Sequence, residues 1–563
     1  MAFQVSPGVQ VREIDLTNVV PAVSSSIGAF AGNFTWGPIE EIVDVSSEKQ
    51  LAESMGVPTP ENASDFFTAA SFLRYSGSLR VVRIDNAAYK NAVDGATTAY
   101  IKNSAEYESV YTTAGSASGN HFAAKYAGSL GNSLQVSLCA AAATTTEFDA
   151  WAYAPLFDSA PGTSAHAADL GGSLDEVHIV IVDEDGAWSG VAGTVLEKFA
   201  YTSQATGAKN ADGSTNYYVD IINQQSKYIW WLDHPIEFAS AGSSGTATFS
   251  NTTAQVDFSL ANGVDASNTT PGDIKAGYDM FADATAVDVN LLIGPVLPGV
   301  LLDATDVANH ILGIATSRQD CLATISPYIA ATVGNANPKA AVIAFADTLS
   351  GTSYGVVDST AVKMYDKYND AYVNIPSSGH VAGLCARTDA SADPWFSPAG
   401  LSRGQLLGVT RLAFNPTQQQ RDDLYKKRIN PIVSFPGEGT VLFGDRTLLA
   451  KPSAFDRINV RRSFIVLEKA ISVAARAQLF EFNDEFTRAM FRNMVEPFLR
   501  DVKGRRGISE FKVVCDDTNN TADIIDSNQF VGDIYIKPSR SINFISLNFI
   551  ATRSGVQFNE IGG

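Results

Sequence analysis

Ser541-Ile-Asn-Phe-Ile-Ser-Leu-Asn-Phe-Ile-Ala-Thr552, near the C-terminus, carries the reading from which the rest follows. Polar Asn543, Ser546 and Asn548 interleave with Ile542, Phe544, Leu547 and Phe549, the period-two pattern of a half-buried strand. The alternation shifts phase once, at Ile545-Ser546, and Ile550 closes the run. The N-terminus offers a second extended piece, Val5 to Leu16, with Val9 and Val11 on one side and Ile14 beyond. Pro7-Gly8 opens it and Pro21 follows, which disfavours helix. Chain ends fray unless tied down. Strands rich in Ile, Phe and Leu need a sheet edge, in their own domain or in a neighbour's. In the second case the protein polymerises.

Composition sets the bounds. A chain of 563 residues has room for three or four domains, and 45 % hydrophobic against 18 % charged residues is a globular balance. No run reaches the ~18–20 apolar residues of a membrane span, and Met1-Ala-Phe-Gln-Val-Ser-Pro-Gly8 lacks the regions of a secretory signal. Cys139, Cys321, Cys385 and Cys515 are far apart, the pattern of reduced thiols and not of a disulfide frame or zinc site. The net charge of −20 is uneven: Leu401 to Val514 holds 20 Lys+Arg against 12 Asp+Glu, while the remainder sums to −28. A basic segment in an acidic protein points to an acidic contact surface on a partner, or to internal pairing.

Along the chain, Ile27 to Phe34 and Leu79 to Ile84 read as strands around a helix at Ser64 to Tyr75. From Asn86 to Pro295 short strands such as Val177 to Val182 sit among Gly-, Ser-, Thr- and Asn-rich turns, a β-rich insertion on the outside of a core domain. Val287 to Ile293 and Ala340 to Ala346 read as buried strands flanking a helix at His310 to Ser317, so α/β organisation resumes there. Farther on, Asn415-Pro416 reads as N-cap and first helical residue of a helix ended by Pro431. Its last turn carries Lys426, Lys427 and Arg428, where cations favour the helix dipole. Leu467, Ile471, Ala475, Leu479, Phe482, Phe486, Met490 and Met494 step by three or four, predicting one long helix from Phe464 to Val495 with a core-facing stripe.

Signals of catalysis are sparse. There is no Gly-Lys dipeptide and hence no Walker A loop. The six histidines form no His-x-x-x-His pair, and Asp183-Glu-Asp-Gly186 lacks the other ligands of an EF loop. Gly351-Thr-Ser353-Tyr-Gly355 matches a nucleophile elbow, with Asp366 and His380 following in hydrolase order. Yet Asp347-Thr-Leu-Ser350 intervenes after the expected strand, no oxyanion motif appears, and such a pentapeptide arises by chance in a Gly- and Ser-rich chain. No catalytic, cofactor or metal residue is expected, and a serine hydrolase using Ser353 is the minor alternative.

Residues spread over the chain resemble the contractile tail sheath proteins of T-even-type bacteriophages. The matching stretches begin with Ser6-Pro-Gly8, Trp36-Gly-Pro38 and Leu79-Arg-Val-Val-Arg83. Arg318-Gln-Asp-Cys321, Tyr365-Asp-Lys-Tyr-Asn-Asp370, Ala382-Gly-Leu-Cys-Ala-Arg-Thr-Asp389 and Ser397-Pro-Ala-Gly400 follow. The densest match is C-terminal: Phe455-Asp-Arg-Ile-Asn-Val-Arg-Arg462, Val514-Cys-Asp516, Thr518-Asn-Asn-Thr521 and Ser539-Arg-Ser-Ile-Asn543. The resemblance covers about 1–90 and 285 onward; Asn86 to Ser118 looks shortened against long members.

The resemblance implies a multidomain α+β protein. Its parts are an N-terminal strand arm (1–22), a discontinuous α/β central domain (23–90 with 285–395), a β-rich outward insertion (91–284), a C-terminal inner assembly domain (396–540) and a C-terminal strand arm (541–563). It also implies a structural, non-enzymatic virion subunit assembled in the host cytoplasm. Such subunits stack as hexameric rings around a tail tube between baseplate and terminator proteins, then contract irreversibly to drive the tube through the host envelope. Neither nucleic acid nor membrane insertion enters. Val5, Val9, Val11, Ile14 and Leu16 and Ile542, Phe544, Ile545, Leu547, Phe549 and Ile550 would be the arms exchanged between subunits. Arg421, Lys426, Lys427 and Arg428 are the candidates for facing an acidic tube; helix-dipole complementation on a solvated face explains them equally well. A sheath from a bacterial contractile injection particle is the alternative within the same class.

Contraction without nucleotide requires energy stored at assembly, and links that hold while subunit bodies repack. Burying a Phe, Leu or Ile contributes ~1.5–3 kcal/mol, whereas ordering an arm residue costs ~1–2 kcal/mol. An apolar arm with its backbone bonds therefore nets roughly a few kcal/mol per link.

Overall fold

A computed structural model describes residues 24–112, 119–141, 146–238, 240–249, 251, 255–266 and 269–543. The chain divides into two compact units, one holding Ser24–Ser391 with Pro398–Asp456, the other holding Ala392–Ser397 and the chain from Arg457 onward.

The first unit is built on a seven-stranded sheet. Across it run Ile42–Val45, Leu79–Arg83, Gly28–Gly32, Leu291–Ile293, Leu322–Ile325, Gly355–Asp358 and Ile429–Asn430. Every neighbouring pair is parallel except Ile42–Val45 with Leu79–Arg83. Parallel strands are covered on both faces, so they read as unbroken apolar runs such as Leu-Leu-Ile at 291–293, fully buried here. Helices Leu301–Arg318 and Pro271–Asp279 supply Val307, Ile311, Ala315, Ile274 and Tyr278 to the core beneath it.

Two glycines let helix Ser378–Ser391 press against helix Ala63–Leu73 and the residues after it. A Cβ at Gly379 would lie 2.3 Å from the Thr68 carbonyl oxygen, and one at Gly383 would lie 2.3 Å from Tyr75 Cδ2. The spacing of four puts both on one helix face.

Between Leu79–Arg83 and Leu291–Ile293 the chain makes the β-rich insertion. Its main sheet is antiparallel, in the order Thr194–Ser203, Glu176–Asp183, Leu134–Ala140, Gln255–Ser259. Arg83, wholly buried, ties it to the core sheet: its guanidinium donates to Gly37 O at 3.0 Å and Ala127 O at 2.7 Å and lies over the Tyr89 ring.

Several expectations need correction. Ala340 to Ala346 is not a strand but part of helix Pro338–Asp347. Asn337 caps it and Pro338 occupies its first turn, a start signal that outweighs the short apolar run. The strand expected at Val287 to Ile293 is confined to Leu291–Ile293. Asn415 is no N-cap, because its side-chain carbonyl accepts from Ser434 N at 3.1 Å. Thr417 caps helix Gln418–Lys426 through a reciprocal box with Gln420, and the helix stops at Lys427, before Pro431.

The long helix expected from Phe464 to Val495 is two helices, Ile458–Ala475 and Glu485–Gly504. Asp484 starts the second by accepting from Thr487 N at 2.8 Å. The apolar period runs unbroken through the interruption, so Leu479, Phe482 and Phe486 lie exposed and not in a core. The segment 396–540, expected as one domain, is also divided. Residues 398–456 belong with the seven-stranded sheet, to which they contribute the edge strand Ile429–Asn430.

Candidate functional site

The second unit is small. Helices Ile458–Ala475 and Glu485–Gly504 pack Leu467, Ile471, Phe491, Met494, Leu499 and Val502 around Trp395. Trp395 Nε1 donates to Arg505 O at 3.0 Å, the Arg505 guanidinium lies 5.1 Å from the indole centroid, and Arg505 also pairs with Asp393. Gly507 permits this closure, since a Cβ there would meet Val502 and Trp395 at under 3 Å.

Upon these helices lies a two-stranded antiparallel sheet, Ile508–Val514 with Asp533–Pro538. Phe511 opposes Ile536 and Val513 opposes Ile534, and these four half-buried side chains pack on the helical core. Lys512 and Tyr535 point the other way, and Lys537 bridges Glu510 at 3.0 Å. The connection between the strands is held by amides. Asn519 accepts from Asp516 N at 3.0 Å and donates to Val514 O at 2.8 Å, while Asn520 exchanges two bonds with the Val531 backbone. Thr518-Asn-Asn-Thr521 is therefore a structural staple.

Among the described residues neither strand has a second neighbour, so both outer edges of this sheet present backbone donors and acceptors. Isolated two-stranded sheets are marginal in water. This one is supported by the helices on one face, and it can accept a strand at either edge, the spacing being ~4.8 Å. Charged Glu510, Lys512 and Lys537 limit indiscriminate pairing there. The period-two pattern of 510–513 and 534–537 is the sequence signal of this hairpin.

Of the expected arm residues, Ile542 is 81 % exposed; Val5, Val9, Val11, Ile14, Leu16, Phe544, Ile545, Leu547, Phe549 and Ile550 lie outside the described residues. The four basic candidates lie in the first unit and do not form one free cationic face. Lys427 Nζ pairs with Asp347 at 2.8 Å, and Arg428 donates to Leu448 O at 2.8 Å. Arg421 lies over the rings of Phe435 and Phe443, and Lys426 is exposed.

The hydrolase pattern is not assembled. Ser353 sits in the turn that enters strand Gly355–Asp358, whereas an elbow follows its strand. His380 is fully buried, its Nδ1 bonded to the Tyr75 hydroxyl and its Nε2 facing Met364, and burial pushes its pKa down to about 3. Asp366 accepts from Tyr368 N and Asn369 N in its own turn. Among the described residues no group of metal-binding side chains occurs, the four cysteines are buried and in no disulfide, and no helix is long and apolar enough to cross a membrane.

With this geometry in place, likeness to known proteins assigns the family. Residues 268–448 match the phage tail sheath protein central domain and residues 450–552 the phage tail sheath C-terminal domain. The tail sheath protein of Enterobacteria phage T4 is 32 % identical over 656 aligned positions, covering 99 % of each chain. That of Vibrio phage KVP40 is 33 % identical with the same coverage. Both alignments run longer than this chain, so the relatives carry segments absent here. The fold is shared with the sheath tail protein of Listeria innocua (TM-score 0.54, 11 % identity, 92 % of this chain and 96 % of that one). It is also shared with the contracted helical sheath of the anti-feeding prophage (TM-score 0.52, 14 % identity, 98 % and 100 %). The chain belongs to the phage tail sheath family. Its class is that of the structural proteins of contractile phage tails.

Proposed function

We propose that the protein polymerises as stacked hexameric rings around a tail tube and contracts irreversibly to drive the tube through the host envelope. One observation carries the linkage: a helix-supported sheet whose two outer edges have no neighbouring strand among the described residues. In this reading Val5 to Leu16 and Ile542 to Ile550 of neighbouring subunits complete that sheet. Backbone hydrogen bonds then hold while the bodies slide, so subunits rearrange without separating. Assembly takes place in the host cytoplasm, from the baseplate to a terminator. Lys426, exposed in the last turn of helix Gln418–Lys426, faces an acidic tube, where sparse charged contacts hold and then release. Identity with phage relatives favours a phage tail over an injection particle.

The test is electron microscopy of full-length protein beside a chain truncated after Arg540, which leaves intact the bonds from Ser539 N to Gly507 O and from Asn459 to Ser539 O. Polymers from the full-length chain alone are expected. Equal polymerisation by the truncated chain would reject the C-terminal arm as a link.

A further inference from the structure

The connection between the two helices of the second unit displays apolar side chains that the described residues leave uncovered. Leu479 is 63 % exposed, Phe482 84 %, Phe486 66 %, and Phe480 is fully exposed at a left-handed φ of 72°. An aromatic residue adopts that conformation only under constraint. The constraint is visible. Asn483 Nδ2 donates to Asn520 Oδ1 at 3.1 Å and to Gln529 O at 2.8 Å, and Arg488 donates to Asn483 Oδ1 at 3.1 Å. A fixed backbone holding three phenylalanines in water marks an interface. Glu481, exposed between Phe480 and Phe482 in sequence, has no side-chain partner among the described residues.

The first unit carries a surface of matching chemistry. Beside the hairpin Ile432–Phe435 with Gly439–Leu442, the rings of Phe435 and Phe443 meet edge to face at 5.3 Å, and Phe443 is 45 % exposed. Arg421 lies 5.6 Å and 6.0 Å from their centroids and has no carboxylate partner among the described residues. A guanidinium held on aromatic faces keeps its donors free for a carboxylate.

We infer that the 479–486 turn of one copy docks on the Phe435–Phe443–Arg421 face of the next, with Glu481 accepting from Arg421. The inference rests on the reading of the chain as a self-polymer. An open helical polymer needs two different, mutually complementary patches on each copy, because a patch that matches itself closes a dimer. Pairing turn with turn brings Glu481 against Glu481, and pairing ring face with ring face brings Arg421 against Arg421. Like charges thus disfavour both closed arrangements. One Leu and three Phe offer on the order of several hundred Å², short of the ~1,200–2,000 Å² that stable complexes bury. The contact therefore forms where another link already holds the copies together and raises their effective concentration. A contact of that size can be broken and remade as subunits move.

The test mixes full-length Phe480→Cys protein with full-length Phe443→Cys protein under mild oxidation, the four native cysteines being buried. Polymer is scored separately by electron microscopy. A cross-linked dimer from the mixture, absent from either variant alone, is the expected result. Polymers without that dimer, or dimers of Phe480→Cys with itself, overturn the docking while leaving the polymer reading intact. The mixed dimer without polymers keeps the docking and rejects the sheath lattice; neither product rejects both. Charge exchange supplies the second arm. Glu481→Arg and Arg421→Glu are each expected to lower polymer yield at least tenfold, and the double variant to restore it. Unchanged yield in both single variants overturns the proposal.

Discussion

The Asp65 carboxylate accepts the backbone N–H of Asn33 at 3.2 Å. It is also bonded by the backbone of Val296, so it spans the ends of the two strands where the sheet order reverses. In open α/β sheets ligands bind at that switch point. Here a side chain of the protein takes the donors. Burial pushes Asp65 up to about 7. Asp358, bonded by Ser326 Oγ and Thr360 N at the end of its own strand, is pushed up to about 7 by the same cause.

These two carboxyls predict a pH dependence. At pH below about 4 both are protonated, folded or unfolded, and cost nothing. Between pH 4 and 7 the unfolded chain ionises first, so stability falls as pH rises, by up to about 4 kcal/mol for each group. His380 acts in the opposite sense, its contribution being lost as pH falls from about 6.5 toward 3. Asp65→Asn and Asp358→Asn should each flatten the decline in Tm between pH 5 and 7. Calorimetry showing the wild-type slope in both variants would contradict this.

Gly379→Ala should destabilise the first unit by about 1–3 kcal/mol, since its Cβ meets backbone that cannot step aside. Gly313→Ala, on helix Leu301–Arg318 with nothing within 4 Å, should instead stabilise by up to about 1 kcal/mol. Urea titration of the pair gives the comparison, and equal effects would refute the packing argument.

Trp395→Ala should cost about 3–5 kcal/mol in the second unit, because the indole fills its centre and bonds Arg505 O. Hydrogen exchange should show lost protection in the 508–514 and 533–538 strands. Intact protection there would mean that the sheet does not depend on this core.

Lys426→Glu should reduce extended sheath on tubes while leaving the Tm of the monomer unchanged. Lys427→Ala should change stability by no more than ~1 kcal/mol, its pair with Asp347 being exposed. Thr417→Ala, by removing a capping box, should cost about 1 kcal/mol. Normal tails from Lys426→Glu would withdraw that residue from the tube contact.

Much of the core sheet was readable from local pattern. Buried parallel strands such as Leu291–Ile293 are continuous apolar runs, and Leu79–Arg83 and Ala63–Leu73 lie close to their expected places. Ala340 to Ala346 misled because a short alanine-rich apolar run fits strand or helix, and only the Asn337-Pro338 start decides. The break at 476–484 escaped because the helical period continues through it. The connection is held by Asn483 reaching Asn520 and Gln529, contacts distant in sequence.

Sequence alone determined the family and the apolar character of the buried strands, since these reside in residue identity and spacing. Tertiary structure alone decided that Lys427 and Arg428 are spent inside the chain, that Phe480 and Phe482 face water, and that 508–514 and 533–538 form a sheet with no third strand among the described residues. Each of those depends on which distant groups come within hydrogen-bonding or van der Waals reach, and no local pattern carries that distance.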